Sequence, residues 1–454
     1  MNDRRKFLTT TIAMAGSAVL AACGADDNPA SSAKLNAMSA TRASTPSPNG
    51  SVIPPLNSIA DAQGGVWTVA NGVVQLNGQN AGYTNLVTLL VYYNSTVYQQ
   101  NQVGDWWSWN GTGWVATAND PRPAEDLVFY GINTHSTVGD NTYGTVPFST
   151  QIAQMRQMGV TMVRTNGNGS SEVGQLKTFI QQLQGTGMQA YPCIDQYLDT
   201  SNTSMTEQDY YNQGYSLGQT AASGLKGLVG YYEVGNEIDS QLLLSGAYNG
   251  DVPSQYSNQL FPLARGLVRG MIDGIKSIDT AAKIIAPACS WLHFAFSDML
   301  WNGTQPDGSS GYPQVRWDIE AWHWYSDMGN ILAASNYEGV TNVLATLQPR
   351  RNLPIWLTEF GVRPFSNGVP GVSGVPTEKQ MGNWLLDQGS TQGGYPTVES
   401  VAAQYGVQAI MLFELYDDPN DGNYGVIAAD GTTLKGRYAR LQSYMGANPP
   451  ATFL

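Results

Sequence analysis

Gly230-Tyr231-Tyr232-Glu233-Val234-Gly235-Asn236-Glu237 and Pro354-Ile355-Trp356-Leu357-Thr358-Glu359-Phe360-Gly361 are two versions of one pattern. Each is an apolar, aromatic, β-prone run that reaches a carboxylate beside a small or polar residue. A carboxylate at the end of a buried strand is costly unless something compensates it. Two such strands suit a barrel whose strand ends converge on one mouth.

Outward from these two runs, strand and helix patterns alternate from Leu127 onward. Strand candidates are residues 127–133, 161–166, 189–195, 228–237, 283–289, 315–324, 355–359 and 408–415. Helical patterns fall between them, among others at 149–158, 173–184, 209–222, 258–277 and 398–405, with a final one at 433–445. This succession predicts an α/β fold, a (β/α)8 TIM barrel over 124–454. A doubly wound open sheet would carry a Gly-rich phosphate loop after its first strand. Asn133-Thr134-His135-Ser136 is no such loop.

Residues 52–119 have another character. Asn71-Gly72 and Asn77-Gly78 are tight-turn signals between β-prone runs. Trp106-Trp107-Ser108-Trp109 and Trp114 mark a further hairpin. A small all-β module is expected, resembling the Trp-rich modules found beside catalytic domains in bacterial carbohydrate-active proteins. Alternation places Trp107 and Trp109 on one face and Trp106 on the other. These rings either form a sugar platform or fill an under-sized core.

Residues 1–22 read as an export signal. Arg4-Arg5 gives a twin-arginine pattern, and Leu20-Ala21-Ala22-Cys23 resembles a bacterial lipobox. The resemblance implies a lipid anchor on Cys23 at the cell envelope. Residues 23–51, rich in Ala, Ser, Asn, Thr and Pro, read as a flexible tether. Cys193 and Cys289 fall on the third and fifth barrel strands, too far apart to pair, and are expected as buried core residues. No cysteine–histidine spacing suggests structural zinc, and no metal or other cofactor is expected.

The chain has 454 residues and a formal charge of −13, with 13% charged residues against about 25% in typical proteins. Such acidity argues against nucleic acid as a partner. The 12 tryptophans and 24 tyrosines lean toward a carbohydrate partner, a polysaccharide or oligosaccharide, because sugar rings stack on aromatic faces.

Function in these barrels sits at the C-terminal strand ends. Those ends carry Asn133 and His135, Arg164 and Asn166, Asp195 and Tyr197, Asn236 and Glu237, Trp291, His323 and Tyr325, Glu359, and Glu414 with Tyr416. Two carboxylates at one mouth are what cleavage of a glycosidic bond requires. Asn-Glu on strand four, Thr-Glu-Phe-Gly on strand seven, His-x-Tyr on strand six and Arg on strand two, in that order, resemble the clan A retaining glycoside hydrolases, with families 39 and 5 the nearest. Ile238 stands where proline is common in that pattern. Phe413 or Tyr416 replaces the usual tryptophan of strand eight.

The resemblance implies these roles: Glu237 as acid/base, Glu359 as nucleophile, Arg164 keeping Glu359 ionised and Tyr325 orienting it. Asn236 would bind the sugar 2-hydroxyl. His323 shares the strand face of Tyr325 and either lines the cavity or is a satisfied core histidine. Trp291, Trp324, Trp322 and Tyr197 are candidates for stacking. Arg164 has Asp195 and Glu233 as alternative partners. Glu414 is either a substrate-binding carboxylate or a salt-bridge partner on the barrel's outside. A monomeric, endo-acting hydrolase is the leading expectation. A non-catalytic glycan-binding lipoprotein and a transglycosylase are the alternatives.

Overall fold

The computed structural model describes residues 46–47, 51–53, 56–117, 120–121, 129–139, 141–201, 204–246, 249–389, 392–419 and 421–448. The signal over 1–22, the anchor at Cys23 and nearly all of the tether lie outside the described residues, as do most of residues 118–123 between the two expected domains. No helix among the described residues is long and apolar enough to cross a membrane.

The N-terminal part forms two antiparallel sheets. One contains β1 (Val52–Ile53), β6 (Val87–Tyr93), β7 (Thr96–Asn101), β8 (Trp106–Trp109) and β9 (Trp114–Thr117). The other contains β2 (Ile59–Ala60), β3 (Val66–Ala70), β4 (Val73–Leu76) and β5 (Gln79–Asn80). The Asn-Gly pairs do what their chemistry predicts. Asn71 (φ 50°) and Gly72 (φ 75°) join β3 to β4, and Asn77 (φ 52°) and Gly78 (φ 77°) join β4 to β5.

Much of the tryptophan here is core. Trp67, Trp109 and Trp114 pack edge-on with centroids 5.2–6.1 Å apart. The Trp67 indole N–H donates to Asp61 (2.6 Å), and that of Trp114 to the Ala81 carbonyl (2.7 Å). Trp106 packs in a separate cluster with Val52 and Val91. The turn after β7 touches the main barrel at Gly185, where a Cβ would lie 2.1 Å from the Gln102 carbonyl. Gly185 leads into the N-terminal end of a barrel strand, so this contact is at the opposite end from the mouth.

The barrel strands are β10 (Phe129–Asn133), β11 (Met162–Asn166), β12 (Gln189–Cys193), β13 (Tyr231–Glu233), β14 (Lys283–Ile285), β15 (Cys289–Ser290), β16 (Glu320–Tyr325), β19 (Ile355–Gly361) and β20 (Val407–Leu412). A small ribbon, β17 (Ala334–Asn336) with β18 (Gly339–Thr341), lies in the loop after β16. The nine parallel strands run in the order β14-β13-β12-β11-β10-β20-β19-β16-β15. β14 and β15 are two pieces of the fifth strand, interrupted at Ala286-Pro287-Ala288. The bridges Asn236↔Ala288 and Ile285↔Ile319 join the two edges of the sheet. The result is the expected eight-stranded barrel.

Helices cover it between strands. Glu207–Leu225 begins in a capping box of Thr206 and Asp209. It packs closely on Phe261–Ile278 through facing glycines. A Cβ at Gly218 would lie 2.1 Å from the Met271 carbonyl, and one at Gly270 would lie 2.2 Å from the Tyr211 carbonyl. Backbone cannot yield as a flexible side chain would. Gly270→Val is therefore expected to destabilise by about 1–3 kcal/mol through overpacking. A urea titration should show a lower midpoint at unchanged slope.

Cys193 and Cys289 are buried free thiols, as their strands predict. Helices Phe148–Met158, Gly169–Leu183, Phe294–Asn302, Val343–Arg351, Glu378–Leu385 and Gly436–Ala447 add to the layer.

Candidate active site

Arg164 organises the mouth. It projects inward from β11, opposite Asn133 on β10. Its Nε and Nη2 grip Glu233 at the end of β13 (2.6 and 3.0 Å). Nη1 donates to Glu359 Oε1 (2.9 Å) and to Asn133 Oδ1 (2.7 Å). Nη2 also reaches Asn236 Oδ1 (2.7 Å) and Cys193 Sγ (3.2 Å). Arg164 thus joins Glu233 and Glu359 rather than choosing between them. Burial opposes its charge, but the surrounding acidic groups outweigh burial and hold the guanidinium firmly protonated. Asn133 is itself fixed, its amide donating to the carbonyl of Thr358 (3.0 Å) beside Glu359.

Glu359 also accepts from Tyr325 Oη (2.5 Å) on the neighbouring strand. Arg363 lies over the Tyr325 ring, 3.7 Å from its centroid, and donates to Tyr424 Oη (2.8 Å). Burial and the Glu359 charge keep the Tyr325 phenol protonated, so it serves as a donor.

Glu237 arrives differently. The chain leaves β13, bridges Ala288 at Asn236, and turns left-handed at Glu237 (φ 46°, ψ 37°). A glutamate rarely adopts that conformation, and such backbone costs on the order of 1–3 kcal/mol. The Glu237 amide donates to the Ala288 carbonyl (3.0 Å), which anchors the turn. Its carboxylate is then 3.0 Å from His323 Nδ1, while the same nitrogen is 3.5 Å from Glu359 Oε2. One oxygen of each glutamate and the ring nitrogen all lie within 4.8 Å of one another.

The electrostatics differ from those expected of an isolated acid. Burial pushes Glu237 up, but the hydrogen bond and charge of His323 outweigh it and hold Glu237 below the usual carboxylate value. Burial pushes His323 down, but Glu359 and Glu237 raise it above the ordinary histidine value. Both shifts favour a proton on the imidazole beside the two carboxylates. His323 is therefore no isolated core histidine.

β16 alternates as a strand should. His323 and Tyr325 reach the carboxylates, whereas Trp322 and Trp324 are fully buried. Trp324 donates to the Gly329 carbonyl (2.9 Å), and Trp322 stacks on Phe294. Neither ring has a face for a sugar, so the stacking roles expected of Trp324 and Trp322 are corrected. Trp291, half-buried and stacked on Trp324 (5.8 Å, 18°), keeps a partly open ring, and Tyr197 is 44% exposed. Trp317 packs against Trp301 and donates to the buried Glu320, a structural pair.

Glu414 is inside the mouth, fully buried, which corrects the outside salt-bridge alternative. It follows a cis peptide with Phe413, accepts from Tyr143 Oη (2.9 Å), and lies 3.7 Å from His135 Nε2. Burial, the largest influence, raises its carboxyl to about 8.

Arg363, Tyr424, Tyr143 and Asp421 were not singled out from sequence. They lie beyond the strand ends, Tyr143 in the short helix Asn141–Thr145 and the others in loops, where periodicity carries no signal.

These features define a (β/α)8 barrel with paired carboxylates at its mouth. No protein-family model matches the chain, and no curated protein matches it. Among solved structures it is similar to the virulence factor SghA from Agrobacterium tumefaciens. That match has a TM-score of 0.50 at 9% identity and covers 72% of this chain and 98% of SghA. SghA with its substrate analog salicin matches at 0.50 and 10% identity, covering 72% and 96%. A family 1 β-glucosidase from Thermotoga maritima, in complex with isofagomine lactam, gives 0.49 and 10%, covering 70% and 98%. At such identities the SghA likeness is one of fold.

Proposed function

We propose that the protein is a retaining glycoside hydrolase, with Glu359 as nucleophile and Glu237 as acid/base. The observation that carries this reading is the approach of the two carboxylates, with oxygens within 4.8 Å. Double displacement uses carboxyl groups about 5–5.5 Å apart, whereas inversion needs about 6.5–9.5 Å to admit a water. The difference in their partners supports the division of roles. Glu359 is held by Arg164 and Tyr325, which favour an ionised, oriented nucleophile. Glu237 is held by His323, a source of a proton.

The proton path follows from the charges. Glu359 helps to keep His323 protonated. As Glu359 bonds to the anomeric carbon, its negative charge is consumed and His323 binds its proton less tightly. His323 then supplies Glu237, which protonates the departing glycosidic oxygen. Asn236, fixed by Arg164, would meet the 2-hydroxyl. Trp291 would stack on a sugar ring.

The titration belongs to the pair rather than to either residue. Since His323 is raised above the ordinary histidine value, the alkaline limb of kcat/KM is expected above about 6.5. His323→Asn leaves a carboxyl governed by burial and Glu359, so that limb should move to lower pH. An unmoved limb in the variant excludes the relay.

The substrate is proposed to be a polysaccharide cleaved internally, by a monomer held at the cell envelope through a lipid on Cys23. Product lengths from a panel of polymers test the mode of cleavage, and products made with and without an acceptor sugar separate hydrolysis from transglycosylation. Labelling of wild type and Cys23→Ala with radioactive palmitate tests the anchor. We further propose that 52–119 is separable and assists with polymer. Its deletion should leave turnover of a small aryl glycoside within about twofold and weaken polymer binding. Equal loss on both substrates would make it a structural part of the barrel.

A further inference from the structure

We propose that His135, Glu414 and Asp421 form a site for one divalent transition-metal ion, of the zinc or manganese kind, in the wall of the barrel mouth. His135 follows β10 and Glu414 follows β20, which is its hydrogen-bonded neighbour. Asp421 comes from the loop beyond Glu414. His135 Nε2 is 3.7 Å from Glu414 Oε2 and 3.4 Å from Asp421 Oδ2, and one donor atom from each residue lies within 4.8 Å of the others. Ligand atoms bound at 2.0–2.2 Å around a tetrahedral ion stand about 3.4 Å apart. The three groups are thus spaced to share an ion with little movement.

Their surroundings suit ligation. Asn166 Oδ1 accepts from His135 Nδ1 (3.0 Å), which leaves Nε2 facing the carboxylates. Burial opposes a charge there, but Asp421 and Glu414 raise the imidazole to about 9, so an ion binds at Nε2 in place of a proton. Metal-bound histidines commonly have their other ring nitrogen fixed in this way. Tyr143 Oη donates to the facing oxygen of Glu414 (2.9 Å) and orients it. His135 Nε2 and Glu414 Oε1 have no hydrogen-bond partner among the described residues. Glu414 is fully buried with one oxygen unmatched, and an ion at this point would stabilise its ionised form. The nearby Arg437 guanidinium donates instead to the carbonyls of Asn423 and Gly425. Asp418, also buried in this region, accepts from the Asn141 amide (3.3 Å).

The Glu237–His323–Glu359 group has similar spacing but different contacts: its facing nitrogen is already engaged by Glu237 at 3.0 Å, whereas His135 Nε2 has no hydrogen-bond partner among the described residues. One imidazole nitrogen with two carboxylate oxygens favours zinc or manganese over calcium, which prefers six to eight oxygens. This departs from the sequence expectation of no metal. It does not depend on the glycosidase reading, because binding is measured without substrate.

The test uses untagged, full-length protein, purified without chelator for metal analysis by mass spectrometry. A second sample is stripped with EDTA, freed of it, and titrated calorimetrically with ZnCl2, MnCl2 and CaCl2. One zinc or manganese per chain is expected, with calcium weaker. His135→Ala and Asp421→Asn should each weaken binding at least about tenfold. Circular dichroism in EDTA establishes that each variant is folded. If His135→Ala is not, Asp421→Asn, which adds no bulk, decides. Wild type that binds neither zinc nor manganese at millimolar concentration overturns the proposal. So does binding that Asp421→Asn leaves unchanged.

Discussion

Glu359→Gln is expected to abolish turnover, even of an aryl glycoside with an activated leaving group. An amide cannot take the place of the anionic nucleophile, so no glycosyl-enzyme forms. Loss of a residue acting within a catalytic unit costs roughly 10⁴–10⁶-fold in kcat. The fold should survive, since the amide is nearly isosteric and Arg164 keeps its two-pronged contact with Glu233. An independent readout separates catalysis from structure. Glu359 is the first of the charges that hold His323 above its ordinary value. The variant's His323, followed by NMR, should therefore titrate at lower pH than in wild type. Wild-type turnover of the activated substrate by a folded Glu359→Gln protein would remove Glu359 from the mechanism.

The parts of this machinery legible in sequence are those set by strand period. Asn236, Glu237, Arg164, His323, Tyr325 and Glu359 all lie at or near strand ends, where a polar residue after an apolar run is conspicuous. In the structure Arg164, Asn236, Glu359 and Tyr325 form one hydrogen-bonded group, and the Glu237–His323 pair adjoins it, with His323 Nδ1 3.5 Å from Glu359. Period alone does not say which face of a strand meets the cavity. Trp324 shows the consequence: its neighbours on both sides point into the mouth, so its own ring is buried outside it.

Where the chain leaves regular structure, sequence was a poorer guide. The left-handed turn at Glu237 cannot be inferred from Val234-Gly235-Asn236-Glu237. It decides which carboxylate meets His323. The charge balance was illegible for the same reason. An apolar wall and a neighbouring anion would raise Glu237, and the proximity of His323, helped by Arg363, reverses the sign. Asp421 and Tyr143 are separated from Glu414 by loop and by almost the whole barrel sequence. Their convergence is a product of barrel closure.

Glu237→Ala should give the opposite kinetic defect from loss of the nucleophile. With natural polymer, the poor leaving group needs a proton, and loss of acid/base help is typically ~10²–10⁴-fold. With an activated aryl glycoside, the leaving group departs unaided and Glu359 still becomes glycosylated. The intermediate then persists, because no carboxylate activates water. Mass spectrometry of the digested protein should find the sugar on the peptide carrying Glu359. Azide needs no base, so it should restore turnover and yield a glycosyl azide of retained configuration. The alanine also vacates space beside His323, whose Nδ1 stands 3.0 Å from the carboxylate that is removed. A small anion can occupy that space next to a cationic imidazole. Rescue should therefore fade as pH rises through the His323 titration. If azide instead rescues Glu359 variants with retention and leaves Glu237→Ala inert, the two assignments are exchanged.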